Sequence, residues 1–365
     1  MKKQALVIGA GIHGSTIAIE LGKQGFDVVV VDSNPDILMG TSGATHNRIH
    51  LGYHYPRSVE TALECKKGNQ YFVKHFGDCM TYPDFYYAIE KNDSRISSQE
   101  YKNFMDVVGL DYVEEWPDES FLNRSEMESS FKVKEGYFDI VRLREVIKKR
   151  FAEYGVRTHL DFFIERGESD GAASVRLYPK AGERLELKAD LIVNATYTNT
   201  NNIQKCFGLT DHLTEYEFEN TEVAVVAYDG EIPALTVMDG PFITIVPYGG
   251  YKGMYLVYDV VHSVISRTYG VEYAEPKRQE SNWSRMAEHG LKYYPFFRDL
   301  MYVRSLRANR PIPLEKESQE DDSRATRVVR HDFPVPFYSI LEGKFVSAPM
   351  VAEDIVEKIL KEHNE

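Results

Sequence analysis

The sequence predicts an α/β fold in which a parallel sheet with helices is interleaved with a second domain built on an antiparallel sheet. Gln4–Ile8 is an apolar strand, Ile12–Lys23 a helix and Val28–Val31 a second apolar strand, which together form a βαβ unit. Asp190–Ala195 is another continuous apolar strand of the parallel type. Between Glu222 and Val261, short strands alternate with glycine and proline turns, which is typical of antiparallel sheets. Because parallel-type segments lie at both ends and in the middle of the chain, we expect the two domains to interleave.

Periodicity and capping residues predict the remaining elements. A serine followed three residues later by a glutamate indicates capping boxes at Ser97 and Ser125. A charged loop is expected at 315–327. The other predicted helices are Ser58–Phe76, Asp139–Tyr154 and Pro349–Leu360, and the other predicted strands are Val156–Glu165, Ser174–Tyr178, Arg184–Lys188 and Gly343–Ala348.

The composition disfavours several classes of protein. The chain has 365 residues, of which 43% are hydrophobic and 27% charged, the balance of a soluble globular protein. A net charge of −13 disfavours nucleic acid and anionic membrane surfaces as partners. No run approaches the roughly 18 apolar residues of a membrane span. Cys65, Cys79 and Cys206 form no CxxC pair, so no disulfide framework or zinc knuckle is indicated, and the expected compartment is the reducing cytoplasm.

The turn between the first strand and the first helix carries a GxGxxG motif at residues 9–14. Gly9 allows the tight turn, Gly11 lets the backbone approach a pyrophosphate, and Gly14 lets the helix pack closely on the strand. The phosphates are expected at the start of the helix, at Ile12 and His13, where backbone N–H groups and the positive end of the helix dipole point outward. The motif therefore predicts a bound nucleotide cofactor.

The end of the second strand indicates which nucleotide is bound. Asp32 is placed to accept hydrogen bonds from an adenosine ribose, and Ser33 lies next to it at the same contact. The carboxylate would repel a 2′-phosphate, and no arginine follows in Ser33–Pro35, which argues against NADP. The fingerprint itself fits both FAD and NAD.

A second motif separates these two cofactors. Gly40-Thr41-Ser42 is followed, after six residues, by the heptapeptide IHLGYHY at residues 49–55. This GTS-x6-IHxGxxY spacing resembles the second motif of the D-amino-acid-oxidase-like superfamily of FAD-dependent oxidoreductases. It looks, without a gap, like that of FAD-dependent glycerol-3-phosphate dehydrogenases, and the IHxG core is also similar to the L-2-hydroxyglutarate oxidase group. The resemblance implies FAD as cofactor, with Thr41, Ser42 and Arg48 on a loop that runs along the ribityl chain toward the flavin ring.

Three later segments extend the resemblance to the middle and the end of the chain. Residues 190–196 resemble the family's strand and turn beside the nucleotide, which implies cofactor contacts for Ala195 and Thr196, although Tyr197 stands where the family has glycine. Residues 307–311 resemble the superfamily's Arg-Pro motif, and residues 343–350 resemble its final turn under the isoalloxazine ring. The implied architecture is a Rossmann-like FAD-binding domain at residues 1–78, 137–210 and 305–365, interleaved with an antiparallel-sheet substrate domain at residues 79–136 and 211–304.

The final turn has a predicted electrostatic role. Pro349 suits the first position of a helix, and Ala348 precedes it. The N–H groups of Met350 and Val351 would then face out from the helix start and stabilise negative charge on the reduced flavin. Plain capping of the helix is the alternative.

The candidate catalytic residues also follow from the resemblance. It places His50 beside the flavin, where a neutral imidazole could take a proton from a substrate hydroxyl; the alternative is a histidine that only packs on the flavin. Arg48, Arg57 and Arg310 are candidates for holding an anionic substrate group, because a guanidinium offers a bidentate fork; for each of them the alternative is a structural salt bridge. The remaining candidates for hydroxyl contacts to the substrate are Tyr55, Tyr255 and Tyr258.

His46, His50 and His54 raise the question of a metal site, because they are spaced four apart. Gly43, Gly52 and Pro56 argue against a helix there. Along an extended strand, neighbours would be about 13 Å apart, too far to share an ion. We therefore predict no metal.

These observations predict an FAD-dependent oxidoreductase that dehydrogenates a CH–OH or CH–NH group of a small anionic substrate by hydride transfer to flavin. The motif spacing favours the alcohol. The alternative is a flavoprotein without net redox turnover, such as a sugar-nucleotide isomerase-like enzyme or a flavin-binding subunit. The sequence identifies neither the substrate nor the electron acceptor.

Overall fold

The computed structural model describes residues 2–169, 173–179, 181–211, 213–277, 279–314, 326–341 and 343–364. Its helices are α1 Ile12–Lys23, α2 Val59–Phe76, α3 Ser98–Val108, α4 Ile140–Glu153, α5 Thr200–Cys206, α6 Trp283–Tyr293 and α7 Ala348–Asn364. Its strands are β1 Gln4–Ile8, β2 Asp27–Asp32, β3 Arg48–Ile49, β4 Met80–Thr81, β5 Phe85–Glu90, β6 Tyr112–Glu114, β7 Met127–Val133, β8 Gly136–Phe138, β9 Arg157–Leu160, β10 Phe162–Ser169, β11 Ala173–Pro179, β12 Leu185–Ala189, β13 Leu191–Asn194, β14 Tyr216–Ala227, β15 Ala234–Met238, β16 Ile243–Pro247, β17 Met254–Asp259, β18 Val264–Gly270, β19 Met301–Pro313, β20 Arg327–His331 and β21 Phe337–Leu341.

The six-stranded sheet has the order β20-β21-β13-β1-β2-β9, and its strands are parallel except for the edge pair β20-β21. β1 lies near the centre, and its apolar residues are buried because the sheet is covered on both faces. α1 and α7 pack together on one face. The small antiparallel sheet β10-β11-β12 packs on the other through Ile164, Val175 and Leu177. The predicted βαβ opening and the Asp190–Ala195 strand are confirmed.

The nine-stranded sheet forms the second layer of the molecule. β14 pairs antiparallel with β19 over its whole length, from Tyr216 opposite Pro313 to Ala227 opposite Met301. The antiparallel pattern predicted between Glu222 and Val261 is therefore confirmed, with one exception: β15 pairs parallel with β5. A fourth sheet, β3-β8-β4, contains Arg48 and Ile49, which lie between His46 and His50 in the chain.

A helix begins where a nearby side chain accepts a hydrogen bond from one of its first backbone N–H groups. The Ser97 hydroxyl accepts from Glu100 N and the Glu100 carboxylate accepts from Ser97 N, so the first predicted capping box is confirmed. The second is wrong. Ser125 lies in a short 3₁₀ turn and donates to Asn123, while Glu128 is part of β7 and accepts from the backbone of α3.

Two further expectations near the end of the chain need correction. Gly343–Ala348 is not a strand: the last strand is β21, and residues 345–347 form a 3₁₀ turn leading into α7. Ser347 closes this turn by donating from its hydroxyl to Lys344 O, and Phe345 stacks on Phe138 at 4.4 Å. The predicted domain boundary between 304 and 305 falls inside β19, which belongs to the large sheet along its whole length. In the predicted charged loop, residues 315–325 lie outside the described residues.

Candidate active site

A cavity of about 560 Å³ lies at the carboxyl ends of β1, β2 and β13. In an open α/β sheet this edge is where ligands bind, because the strand order reverses there and leaves a crevice. The predicted cofactor residues in its wall are Gly9, Gly11, Ile12, His13, Asp32, Ser33, Thr41, Ser42, Ala195 and Thr196.

The three glycines of the first turn have different roles. Gly9 has φ +101°, and a Cβ there would lie 2.6 Å from Ala195 O. A Cβ at Gly14 would lie 1.8 Å from Gly9 O, so this glycine is required by helix–strand packing. A Cβ at Gly11 would meet only the Ser42 hydroxyl, at 3.1 Å. Gly11 therefore keeps the cavity side of the turn open.

Hydrogen bonds fix the polar groups around this turn. Asp32 accepts from Ala10 N at 2.6 Å through Oδ2 and from Asn34 N at 2.8 Å through Oδ1. Its carboxylate therefore stands in a set orientation at the cavity wall. Ser42 accepts from Ile12 N at 3.0 Å, which ties the second motif to the start of α1.

Some predicted cofactor residues lie outside this wall. Gly14 packs against the backbone of Gly9 within the turn, and Pro349 lies next to Thr16 of α1. Among the described residues, the final segment reaches the cavity through Gly343 and Phe345. A flavin contact for Ala348, Pro349, Met350 and Val351 stays a prediction.

Part of the wall carries no sequence motif. Phe162, Phe163 and Tyr178 of the small antiparallel sheet line the cavity, as does Tyr197. Tyr197 has φ +55°, in the left-handed region that glycine adopts without strain. Tyr197, which stands where the resembled family has glycine, therefore adopts a backbone conformation that glycine favours. A glycine-to-tyrosine exchange in an otherwise matching motif is a signal that sequence reasoning can use.

The three histidines of the second motif come together, contrary to the expected separation of about 13 Å along a strand. The ring centroids of His46 and His50 are 5.3 Å apart, and those of His50 and His54 are 5.0 Å apart. β3 is only two residues long, and the chain turns at Gly52, whose φ is +122°. The imidazoles form a column, and Tyr55 packs edge-on against His50 at 5.8 Å.

Arg48 lies beneath this column in a buried ion pair with Glu135. Its Nε and Nη2 donate to Glu135 Oε1 at 3.0 and 2.7 Å, and Nη2 also donates to the Tyr87 hydroxyl. Nη1 donates to Thr236 and Thr244. All five N–H donors are thereby used, and the side chain is fully buried. Arg48 therefore forms the structural salt bridge that was the alternative to a cofactor or substrate contact, and no donor of its guanidinium is left for either ligand.

Glu135 is a site residue that sequence reasoning missed. His50 Nδ1 lies 3.4 Å from Glu135 Oε1, and Leu51 N donates to Oε2 at 3.3 Å. Burial opposes ionisation of Glu135, but the charge of Arg48 and the contact with His50 lower its pKa to about 2. A permanent carboxylate therefore faces the Nδ1 side of His50. Glu135 lies just after β7, more than 80 residues from His50 in the sequence. It belongs to no motif, so nothing in the sequence indicates its role.

The upper part of the column faces Arg310 and Tyr258. Tyr258 packs edge-on against His46 at 6.0 Å, and Arg310 donates to Glu219. Burial disfavours the charge of Arg310, yet Tyr258 and Glu219 outweigh this and raise its pKa above the usual range. Within the described residues, the buried Nε of Arg310 has no hydrogen-bond partner.

Burial and the charge of Arg48 lower the pKa of His46 well below its usual range, so this ring is neutral.

Arg57 lies at the other end of the loop, where its Nε donates to Asp239 at 2.8 Å. The remaining tyrosine candidate, Tyr255, donates to Gly230 O and accepts from Ile232 N, so its hydroxyl holds the connection between β14 and β15.

Comparison with known proteins identifies the family. The model of the DAO family, which is described as "FAD dependent oxidoreductase", matches residues 4–324 of this chain. The chain belongs to this family. The predicted cofactor, FAD, and the predicted class, oxidoreductase enzyme, are confirmed.

Relatives and solved structures agree with this assignment. The chain is 24% identical to the FAD-dependent monooxygenase FPY4 of Fusarium mangiferae, over 97% of this chain and 90% of that protein. Its fold resembles that of L-proline dehydrogenase from P. horikoshii, with a TM-score of 0.73, 17% identity and coverage of 99% of this chain and 94% of the other. For glycerol-3-phosphate dehydrogenase from Bacillus halodurans the TM-score is 0.70 at 18% identity, and the chain spans 65% of that protein's length.

None of the described helices has both the length and the apolar character needed to cross a membrane.

The cavity fits FAD by the chemistry of its wall. The open backbone at Gly11 and the start of α1 suit the pyrophosphate, and Asp32 suits the adenosine ribose. Thr41, Ser42 and Thr45 extend the wall toward His46, from which the histidine column continues. Thr45 directly precedes His46 in the chain, whereas the three histidines themselves are not among the residues that line the cavity.

We expect Gly11→Val to lose FAD while keeping the fold. A Cβ there would lie 3.1 Å from the Ser42 hydroxyl, and the valine side chain would occupy the approach of the pyrophosphate. Flavin absorbance per protein in the purified variant measures the loss. Gly77→Ala is the control, because its Cβ would make an ordinary contact with Val73 far from the cavity. A folded Gly11→Val protein with full flavin content would contradict the assignment of this turn.

Glu135→Gln is expected to destabilise the fold by about 3 kcal/mol, because it leaves Arg48 as a buried charge without its counter-ion. The folded-state pKa of Glu135 is depressed from 4.5 to about 2. Its contribution is therefore complete above pH 4.5 and declines as the pH falls toward 2. Chemical denaturation of both proteins at several pH values measures the difference. The control Glu114→Gln, in an exposed ion pair with Lys102, should cost about 0–1 kcal/mol. Equal costs for the two variants would refute the role of the buried pair.

Proposed function

We propose that this enzyme dehydrogenates a CH–OH group next to an anionic substituent of a small substrate. His50 acts as the general base and Arg310 binds the anion. The main support for this proposal is the position of His50, whose Nδ1 lies 3.4 Å from the buried Glu135 carboxylate. A CH–NH substrate is the alternative within the same site. The preference for the alcohol rests on the GTS-x6-IHxGxxY spacing.

Glu135 determines which nitrogen of His50 carries the proton. A carboxylate favours N–H at the nitrogen that faces it, here Nδ1. Nε2 then carries the lone pair and accepts the proton of the substrate hydroxyl. Bound FAD supplies the hydride acceptor. The packing of Tyr55 and His54 on the His50 ring restricts its rotation, so Nε2 keeps one direction.

Arg310 is suited to bind the anionic substituent. Its side chain is partly buried, and its Nε donor has no partner among the described residues, which a carboxylate or phosphate oxygen would satisfy. Glu219 holds the other side of the guanidinium. Arg310 lies close enough to His46 for its positive charge to help keep that ring neutral, and His46 contacts His50. The anion and the proton acceptor thus belong to one cluster.

The other candidates have supporting roles in this proposal. The hydroxyls of Tyr55 and Tyr258 line the column and can hydrogen-bond the substrate. Arg57 forms an ion pair with Asp239, and its side chain is partly exposed. D-amino acid dehydrogenase of Rhizobium johnstonii, 38% identical over 20% of this chain, and the glycerol-3-phosphate dehydrogenase named above are named for small molecules that carry a carboxylate or a phosphate group.

We expect His50→Asn to retain FAD and the fold but to slow flavin reduction by about 10²–10⁴-fold, the usual contribution of a placed base. Stopped-flow measurement under anaerobic conditions isolates this half-reaction, and reoxidation should be unchanged. His331→Asn is the control, since His331 contacts Ser339 outside the cavity. A wild-type reduction rate in the Asn variant would show that His50 is not the base. Failure of every hydroxy acid, amino acid and polyol phosphate to bleach the wild-type flavin would favour a flavoprotein without net turnover.

Arg310→Lys should raise KM and lower kcat/KM by about 10–100-fold, because lysine keeps a charge but loses the fork; one charge-assisted hydrogen bond is worth about 1.5–3 kcal/mol. Arg267→Lys is a matched control. Arg267 also donates to Glu219, at 2.9 Å, but its side chain is half-exposed on β18. Steady-state kinetics of both variants with the same substrate test the assignment. Equal effects on KM would contradict anion binding by Arg310.

A further inference from the structure

A cluster of possible metal ligands lies outside the site described above. Asp259 ends β17, His262 lies in the turn before β18, and His289 is on α6. One ligand atom from each lies within 4.8 Å of the others. Among the described residues this is the only such group of three. The sequence does not reveal it, because α6 approaches the turn only in the folded chain.

Asp259 is a fully buried carboxylate without a permanent cation beside it. Its Oδ1 accepts from Val261 N at 2.9 Å, and its Oδ2 lies 2.8 Å from His289 Nδ1. Within the described part of the chain, the histidine is its only ion-pair partner, with no lysine or arginine at that distance. A buried charge of this kind needs a positive partner to offset its lost hydration.

The backbone around the cluster is held in place. Asn282 donates from its side chain to His262 O at 2.9 Å, and its own N–H donates to the buried Glu222 carboxylate. Asp259 N donates to the Ser263 hydroxyl at 3.0 Å. Such contacts keep ligands in a set direction before a metal arrives. The His262 and His289 rings meet edge-on with centroids 5.8 Å apart, so both can turn a nitrogen toward Asp259.

We propose that Asp259, His262 and His289 bind one Zn²⁺ ion. Two imidazoles and a carboxylate are a donor set that zinc uses, with water at the fourth position, whereas Mg²⁺ and Ca²⁺ prefer oxygen ligands. Zn²⁺ takes the place of the proton between Asp259 Oδ2 and His289 Nδ1 and offsets the carboxylate charge. A neutral His289 then carries its proton on Nε2, and a protonated one releases the Nδ1 proton to water. The ion joins the turn after β17 to α6. Because neighbouring side chains of a strand point to opposite faces, it lies across the sheet from Tyr258 and takes no part in hydride transfer.

Another histidine–carboxylate pair provides a matched control. His75 Nε2 lies 2.8 Å from Glu353, the same separation as in the Asp259–His289 pair. No third candidate ligand joins it among the described residues. If a single pair were enough to bind zinc, both places would bind it equally.

The test is calorimetric titration of the FAD-loaded full chain with Zn²⁺ alone, after treatment with a chelator. We expect one Zn²⁺ per chain and no competition from Mg²⁺. His262→Ala, His289→Ala and Asp259→Asn should each weaken binding by at least about 100-fold, since even outer-shell partners are worth about 10–100-fold. His75→Ala should bind like the wild type. Zn²⁺ should also raise the melting temperature of the wild type but not of His262→Ala, which changes only a partly exposed side chain.

Absence of zinc binding to the wild type would overturn the proposal. So would unchanged affinity in folded His262→Ala and His289→Ala proteins, which would place the ion elsewhere, including the His46–His54 column. A loss of binding in His75→Ala would assign the ion to the Glu353 pair. Should His289→Ala fail to fold, His262→Ala and Asp259→Asn decide the question.

Discussion

The buried ion pair between Arg48 and Glu135 is the interaction on which the catalytic part of the structure depends. It is fully buried and joins β3, the segment before β8 and the strands carrying Tyr87, Thr236 and Thr244. Burial of two charges is costly, so a pair of this kind persists only when every donor and acceptor is satisfied. Here the same carboxylate that neutralises Arg48 also faces His50. The orientation of the proposed base is therefore a consequence of how the interior is neutralised.

Binding and chemistry are divided between two parts of the fold. The crossover edge of the parallel sheet forms the cavity for FAD, with Gly11 and Asp32 in its wall. The large sheet and the loop after β3 provide the histidine column, Tyr258 and Arg310. β19 connects the two, because Arg310 lies on it and Thr41 of the cavity wall donates to Asn309 O. A change in the segment from Thr41 to His50 would therefore affect both the cavity wall and the position of the proposed base.

Local signals in the sequence predicted the cofactor end well. The strand, glycine turn and helix at residues 4–23 appear with the expected bounds, because each depends on neighbours a few residues away. Predictions that depended on distant partners were wrong or missing. Arg48 was expected at the cofactor because it lies in the second motif, and its buried partner Glu135 could not be anticipated because it lies in no motif. The histidine rings were expected far apart because a two-residue strand and a turn at Gly52 are not visible in the periodicity. Gly343–Ala348 has strand-like composition, but β21 already occupies the place next to β13.

The central claim is that Glu135 acts on the reaction through His50, and a double-mutant cycle on the rate of anaerobic flavin reduction tests it most directly. The four proteins are the wild type, Glu135→Gln, His50→Asn and the double variant, each loaded with FAD and checked for folding. If the carboxylate acts by orienting the imidazole, Glu135→Gln slows reduction in the wild-type background and has no further effect once His50 is asparagine. Fully additive losses, or a Glu135→Gln protein that reduces flavin at the wild-type rate, would contradict the account.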